Sequence, residues 1–268
     1  MPEQYLKRLR NMHPRVHCIT NYVTANDCAN LLLAAGAQPV MADDPEESAQ
    51  ITASADALVI NLGTPNAKKI EAMIRSGRQA GVSGIPVVFD PVGVTASDMR
   101  RAAAGRLLEA VKFTVIKGNA AEICALCGER IQPCGVDAAE MDSEAARAAA
   151  CRLAAGTGAV VVMTGETDII TDGDRATLVH NGHPVMSRIT GTGCQLSALI
   201  GAFAAAVPEQ PFDAAIAAVC MMGLCGELAA SRMTQEDGNA SCARYLIDAA
   251  YRMDEKTMKE GVRFEEGA

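Results

Sequence analysis

Short β-branched runs, each closed by a polar or small residue, alternate along this chain with Ala-rich stretches whose apolar positions recur at helical spacing. That alternation predicts repeated strand-helix-strand crossovers, and so an α/β architecture with a mostly parallel sheet. Strands are predicted at Gln38 to Ala42, Ala57 to Asn61, Val87 to Asp90, Thr114 to Lys117 and Val160 to Thr164. Helices are predicted at Ala25 to Ala35, Asn66 to Gly81, Met99 to Val111, Ala120 to Cys127, Ser143 to Gly156, Gln195 to Ala206, Phe212 to Arg232 and Ala240 to Thr257. The stretch Phe212 to Ser231 is apolar on nearly every face, which predicts burial between elements or between subunits. Between Asp168 and His180, an Asp172-Gly173 turn separates two short extended runs and predicts a β-hairpin at the edge of the sheet; His180 and His183 then read as turn residues. With neither an internal repeat nor a low-complexity linker, one domain over residues 1–268 is expected.

Ligands of an open parallel sheet collect beyond the carboxyl ends of its strands, so Met41, Asn61, Asp90, Lys117 and Thr164 should face one rim. Thr190-Gly191-Thr192-Gly193-Cys194 stands just before an apolar helix. Helix N-termini carry unpaired N–H groups and partial positive charge, and glycines let an anion approach them, so phosphate chemistry is suggested. The same field should lower the pKa of the Cys194 thiol. A tight turn with a small packed cysteine explains that pentapeptide equally well when it is taken alone. Asn119 and Glu122 share one helix face, and with Asp90 they offer hard oxygen ligands of the kind that hold Mg²⁺ through water and phosphate. An N-cap at Asn119 with Glu122 closing a capping box is the competing explanation, and the two are compatible.

The net charge of −8 argues against a nucleic-acid partner, since polyanion binders present a basic face. No apolar run is read as a membrane span, and the first ten residues lack a signal-peptide centre, so no membrane partner and a cytoplasmic location are expected. The ten cysteines are scattered through apolar stretches, which predicts reduced, mostly buried thiols. Cys124, Cys127 and Cys134 form the one metal-like group; without a second close pair or an adjacent histidine, zinc is not expected there.

His17-Cys18-Ile19-Thr20-Asn21-Tyr22-Val23-Thr24, Ala37-Gln38-Pro39-Val40-Met41-Ala42, Asn61-Leu62-Gly63-Thr64, Asp90-Pro91-Val92-Gly93, Lys117-Gly118-Asn119-Ala120-Ala121-Glu122, Thr164-Gly165-Glu166-Thr167-Asp168 and the Gly-Thr-Gly-Cys turn occur in that order. Together, over residues 15 to about 250, they closely resemble the hydroxyethylthiazole kinase family of the ribokinase-like superfamily. The resemblance implies a three-layer α/β/α ribokinase-like sandwich and transfer of the ATP γ-phosphoryl group, with Mg²⁺, to the primary alcohol of hydroxyethylthiazole. It places Asn21, Met41, Gly63 and Gly191 at the thiazole; Lys117, Asn119, Thr164, Asp168 and Gly193 at the nucleotide; Glu122 and Asp90 at the metal; and Cys194 as proton acceptor. It also implies a homotrimer with the thiazole pocket between subunits. His17 either orients that pocket or is structural. Thr95 and Ser97, Lys117 in place of arginine, and Gly238-Asn239-Ala240-Ser241 depart from the family pattern. A kinase of another vitamin-type alcohol such as hydroxymethylpyrimidine, a thiazole- or nucleotide-binding sensor, and a cysteine hydrolase using Cys194 are the competing readings.

Overall fold

A computed structural model describes residues 2–128 and 143–267. Its strands are β1 (Arg15–Ile19), β2 (Gln38–Val40), β3 (Ala57–Asn61), β4 (Val87–Asp90), β5 (Val115–Asn119), β6 (Val160–Thr164), β7 (Asp168–Thr171), β8 (Ala176–Val179) and β9 (Phe264–Gly267). They form one sheet in the order β2-β1-β3-β4-β5-β6-β7-β8-β9. The first six are parallel and β7 to β9 are antiparallel.

Two-sided burial accounts for the β-branched runs. Along the parallel strands, Val59, Val88, Val115 and Val162 enter one apolar core, while their chain neighbours Ile60, Phe89, Ile116 and Val161 enter the other. Successive residues face opposite sides, so a strand covered on both faces must be apolar throughout. The first core is closed by α1 (Pro2–Met12), α2 (Ala25–Ala35), α8 (Thr192–Ala206), α9 (Pro211–Arg232) and α10 (Asn239–Arg252); the second by α4 (Ala67–Ser83), α5 (Asp98–Ala110), α6 (Ala120–Leu126) and α7 (Ser143–Thr157). The result is the α/β architecture that the patterning predicted, in the three-layer form that the family resemblance implied.

Several details differ from the sequence reading. Strand β1 was not foreseen, because the polar His17 breaks its apolar run; the buried ring bonds Thr52 Oγ1 at 2.9 Å and the Ala42 carbonyl at 2.7 Å. β2 stops at Val40, and β5 runs on to Asn119. The β7–β8 hairpin is not an edge, because β9 adds to β8. The helix expected over Ala240 to Thr257 breaks at Met253, and Asp254 caps α11 (Glu255–Gly261) by accepting the Thr257 N–H at 2.7 Å. Helix α9 is long and apolar enough to span a membrane, contrary to expectation, but 78% of its apolar window is buried inside the fold. Ser97, one of the departures, is the N-cap of α5. Cys134 lies outside the described residues.

Candidate active site

Helix α8 begins at Thr192 rather than Gln195, which puts Cys194 inside its first turn. Gly191 supplies the N-cap at φ 87°, and a Cβ there would stand 2.3 Å from Thr24 Cγ2. A Cβ on Gly193 would lie 2.8 Å from Lys117 Nζ. Glycine is needed at the first position for conformation and space, and at the second so that the helix terminus can approach the lysine.

Two amides point their nitrogens at the half-buried Cys194 sulfur. Asn21 Nδ2 is 3.1 Å from Sγ and Asn61 Nδ2 is 3.3 Å. Their orientation is fixed from behind, because Asn21 Oδ1 accepts the Thr24 N–H at 3.1 Å and Asn61 Oδ1 accepts the Gly63 N–H at 2.9 Å. With each oxygen held by a backbone donor, each NH₂ is left facing the sulfur. Asn61 Nδ2 also donates to Asp90 Oδ2 at 2.8 Å, and Ser197 Oγ donates to the same oxygen at 2.7 Å. Lys117 Nζ stands 3.6 Å from Asp90 Oδ1, with both side chains buried.

Burial sets the protonation here. It pushes the Asp90 carboxyl up, against the pull of Lys117. It also opposes the charge on Lys117, but Asp90, Glu122 and Cys194 outweigh it and hold the ammonium above its usual range. The expected lowering of the Cys194 thiol does not occur. Burial and then the Asp90 charge raise it, and the favourable contributions of Thr24, Lys117 and Asn61 do not offset them.

Of the residues expected at the thiazole, Asn21, Gly63 and Gly191 gather around Cys194. A Cβ on Gly63 would meet Asn21 Cβ at 2.7 Å and Asn61 Oδ1 at 2.8 Å, so only glycine lets these loops close. Met41 is 37% exposed beyond the end of β2, which is the outermost strand on its side of the sheet. His17 is structural, and through the Ala42 carbonyl it fixes the segment that follows Met41.

On the other side of Gly193 opens a cavity of about 690 Å³ walled by Thr164, Asp168, Thr192, Gly193, Met222 and Gly223, among others. Asp168 accepts the Gly165 N–H at 2.9 Å, and burial, beyond what that bond and Lys117 recover, pushes its carboxyl up to about 6. Thr164 pairs across the sheet with Asn119. Asn119 and Glu122 do form the reciprocal capping box: Asn119 Oδ1 accepts the Glu122 N–H at 2.9 Å and Glu122 Oε2 accepts the Asn119 N–H at 3.0 Å. Glu122 Oε1 further accepts the Gly93 N–H at 2.9 Å, which ties the loop after β4 to α6.

Asp90 Oδ1 is buried without a hydrogen-bond partner, and Glu122 is half-buried; among the described residues no three His, Cys, Asp or Glu side chains are grouped to cage a metal. Two carboxylates of this kind suit a Mg²⁺ held mostly by phosphate and water. Asn61 was expected at the ligand rim but given no role there, and Ser197, which follows Cys194 by one helical turn, was not singled out at all. Met222 and Gly223 lie in an all-apolar stretch that gives no sign of a cavity wall. His180 and His183, read as turn residues, also line this cavity.

A mostly parallel sheet thus lies between two helical layers, with a glycine-flanked helix terminus separating a small polar cluster from a large cavity. The pyridoxal kinase of Staphylococcus aureus in complex with ADP shares this fold, with a TM-score of 0.65 at 18% identity over 95% of this chain and 99% of that one. The hydroxyethylthiazole kinase of Pyrococcus horikoshii superposes with a TM-score of 0.90 at 36% identity, covering 100% of this chain and 99% of the other. The hydroxyethylthiazole kinase of Clostridium acetobutylicum is 46% identical over 99% of both chains. Residues 6–256 match the model of the hydroxyethylthiazole kinase family, and the chain belongs to that family.

Proposed function

We propose that this chain transfers the γ-phosphoryl group of ATP to the primary alcohol of 4-methyl-5-(2-hydroxyethyl)thiazole. The observation that carries the reading is the Cys194 cluster at the N-terminus of α8, set against a cavity of nucleotide size across Gly193. In this reading Asn21, Gly63, Gly191 and Met41 hold the thiazole, while Thr164, Asp168, Asn119 and Gly193 hold the nucleotide. The exposed Tyr22, Val23 and Met41 at one margin of the sheet suit a pocket completed by another copy in a homotrimer. We read residues 1–268 as one domain acting in the cytoplasm.

Phosphoryl transfer asks mainly for alignment and for charge stabilisation as the bond to the leaving phosphate loosens. The free N–H groups of the first turn of α8 and the Lys117 ammonium behind Gly193 would take up negative charge developing on the transferring group. Glu122 and Asp90 would hold Mg²⁺ through water and phosphate, and the ion would neutralise charge on the phosphates. Asn21 and Asn61 orient the Cys194 sulfur, the nearest group for the alcohol proton. Because the thiol is raised, its thiolate form is a minor one at neutral pH, and the proton transfer comes late. The sensor and hydrolase readings find less support, since neither employs the Lys117–Asp90 pair beside the helix terminus.

A coupled ADP-release assay with hydroxyethylthiazole, hydroxymethylpyrimidine and ribose, with and without Mg²⁺, tests the proposal. Mg²⁺-dependent ADP release with the thiazole alcohol alone is expected. Release with hydroxymethylpyrimidine instead would favour the related kinase.

A further inference from the structure

Lys69 lies in the first turn of α4, three residues after its N-cap Asn66, yet its side chain is 1% exposed. Lysines are almost never buried to this degree unless the ammonium is matched. Here it is matched by three groups from two other loops. Nζ donates to the Thr20 carbonyl at 2.6 Å in the β1–α2 loop. It lies 3.4 Å from Asp43 Oδ2 in the β2–α3 loop, where α3 is Ser48–Ala53. The ring of Tyr22, again in the β1–α2 loop, covers it at 3.9 Å from the centroid, and the nearby Asp43 carboxylate raises the Tyr22 phenol.

The first of these contacts reaches the reacting end of the molecule. Thr20 contributes its carbonyl to the peptide that joins it to Asn21, and Asn21 directs its NH₂ at Cys194 Sγ. The second contact fixes the segment just after Met41 from the other side. The burial of Lys69 is thus spent on two loops that frame the acceptor site, and on none of the walls of the 690 Å³ cavity.

We propose that Lys69 is a positioning residue for the acceptor alcohol: by gathering the Thr20 carbonyl, Asp43 and Tyr22 around one ammonium, it sets the distance and angle at which Asn21 meets Cys194. The idea rests on the reading that the alcohol is phosphorylated beside Cys194. Misplacement of a reacting group by a fraction of an ångström to an ångström lowers turnover steeply, so a residue that never touches the substrate can control both its binding and its reaction.

The test compares steady-state kinetics of the wild type, Lys69→Met and Asp43→Asn, each substrate being varied in turn. Lys69→Met keeps the length and loses the charge; Asp43→Asn acts from the solvent side and spares the fold should the first variant unfold. Lys69→Met is expected to raise KM for hydroxyethylthiazole and lower kcat by about tenfold each, with KM for ATP held within about twofold. Asp43→Asn should give a smaller shift in the same direction. A purely structural role would lower the active fraction and kcat while leaving both KM values alone. That pattern, or a parallel rise in KM for ATP, overturns the inference while the proposed activity stands. A wild-type enzyme that releases no ADP with the thiazole alcohol overturns the activity itself, and with it the inference.

Discussion

The ammonium of Lys117 stands 3.6 Å from Oδ1 of Asp90, and the two side chains are 6% and 0% exposed. A buried pair of this kind is weak evidence for stability as a pair, but removing one member strands the other charge in a medium that cannot solvate it. Asp90→Ala is therefore expected to cost about 3 kcal/mol or more in urea unfolding, and adding Lys117→Met to it should restore a good part of that loss. A single variant as stable as the wild type would show that Lys117 finds another counter-charge.

Cys194→Ala should lower kcat by about 10²- to 10⁴-fold and change KM for the thiazole little, as removal of a proton acceptor does. Burial and Asp90 raise the thiol, so its thiolate fraction is small at neutral pH and grows as pH rises. Wild-type kcat should accordingly climb on the alkaline side, and the variant should lack that limb. Steady-state pH profiles of both decide it; wild-type turnover in the variant removes Cys194 from the chemistry.

Asn61→Asp replaces the NH₂ that donates at 2.8 Å to Asp90 Oδ2 with a second carboxylate oxygen. It also takes away a donor from Cys194. Two buried carboxylates at that distance cannot both ionise at ordinary cost, so one should bind a proton. A loss in kcat of about 10²-fold is expected, with KM for ATP nearly unchanged. A kcat loss no larger than the loss of folded, active protein would mean that Asn61 only supports the fold.

Burial lifts the Asp168 carboxyl to about 6, above the value it has in an unfolded chain. The folded state therefore binds that proton more tightly than the unfolded state does. Relative to a neutral analogue, the penalty is absent below about pH 4, develops between about 4 and 6, and is complete above. Asp168→Asn keeps an acceptor for the Gly165 N–H, and should be more stable than the wild type by about 1–2 kcal/mol at pH 7.5 but not at pH 4. Urea titrations at the two pH values measure the gap; an Asn variant no more stable at pH 7.5 contradicts the account.

The parallel strands β2 to β6 were legible because two-sided burial demands continuous apolar runs, and Val59-Ile60 or Val161-Val162 can be little else; the Asp172-Gly173 turn gave β7 and β8, so seven of the nine strands among the described residues were foreseen. Strand β1 was hidden by His17, whose polarity is satisfied only by Thr52 and Ala42, partners distant in the chain. β9 is a short, charged strand whose place is set by pairing with β8. At the site, glycine spacing and a helix-start cysteine pointed to Gly191, Gly193 and Cys194. The direction of the thiol's pKa was misjudged because helix position is local, whereas the burial and the Asp90 charge that override it come from tertiary packing. Lys69 reads as an ordinary surface residue of an amphipathic helix, and nothing local announces that three groups converge on it.

Gly191→Ala brings a Cβ to 2.3 Å from Thr24 Cγ2 at a φ of 87° that alanine rarely adopts. The start of α8 must shift, so a loss of about 1–3 kcal/mol in stability is expected together with a kcat loss larger than the thermal shift accounts for. Thermal unfolding and turnover of the same preparation check it. Wild-type kinetics would show that the helix terminus need not be so tightly placed.

The central claim is that the alcohol is phosphorylated beside Cys194 across the N-terminus of α8. A crystal structure with hydroxyethylthiazole and a non-hydrolysable ATP analogue measures this most directly. The account predicts the hydroxyl oxygen at about 3–3.5 Å from both Cys194 Sγ and the γ-phosphorus or its replacement, with the triphosphate lying over Gly193. A thiazole bound away from Asn21 and Cys194, or a nucleotide whose γ-phosphate turns from Gly193, contradicts it.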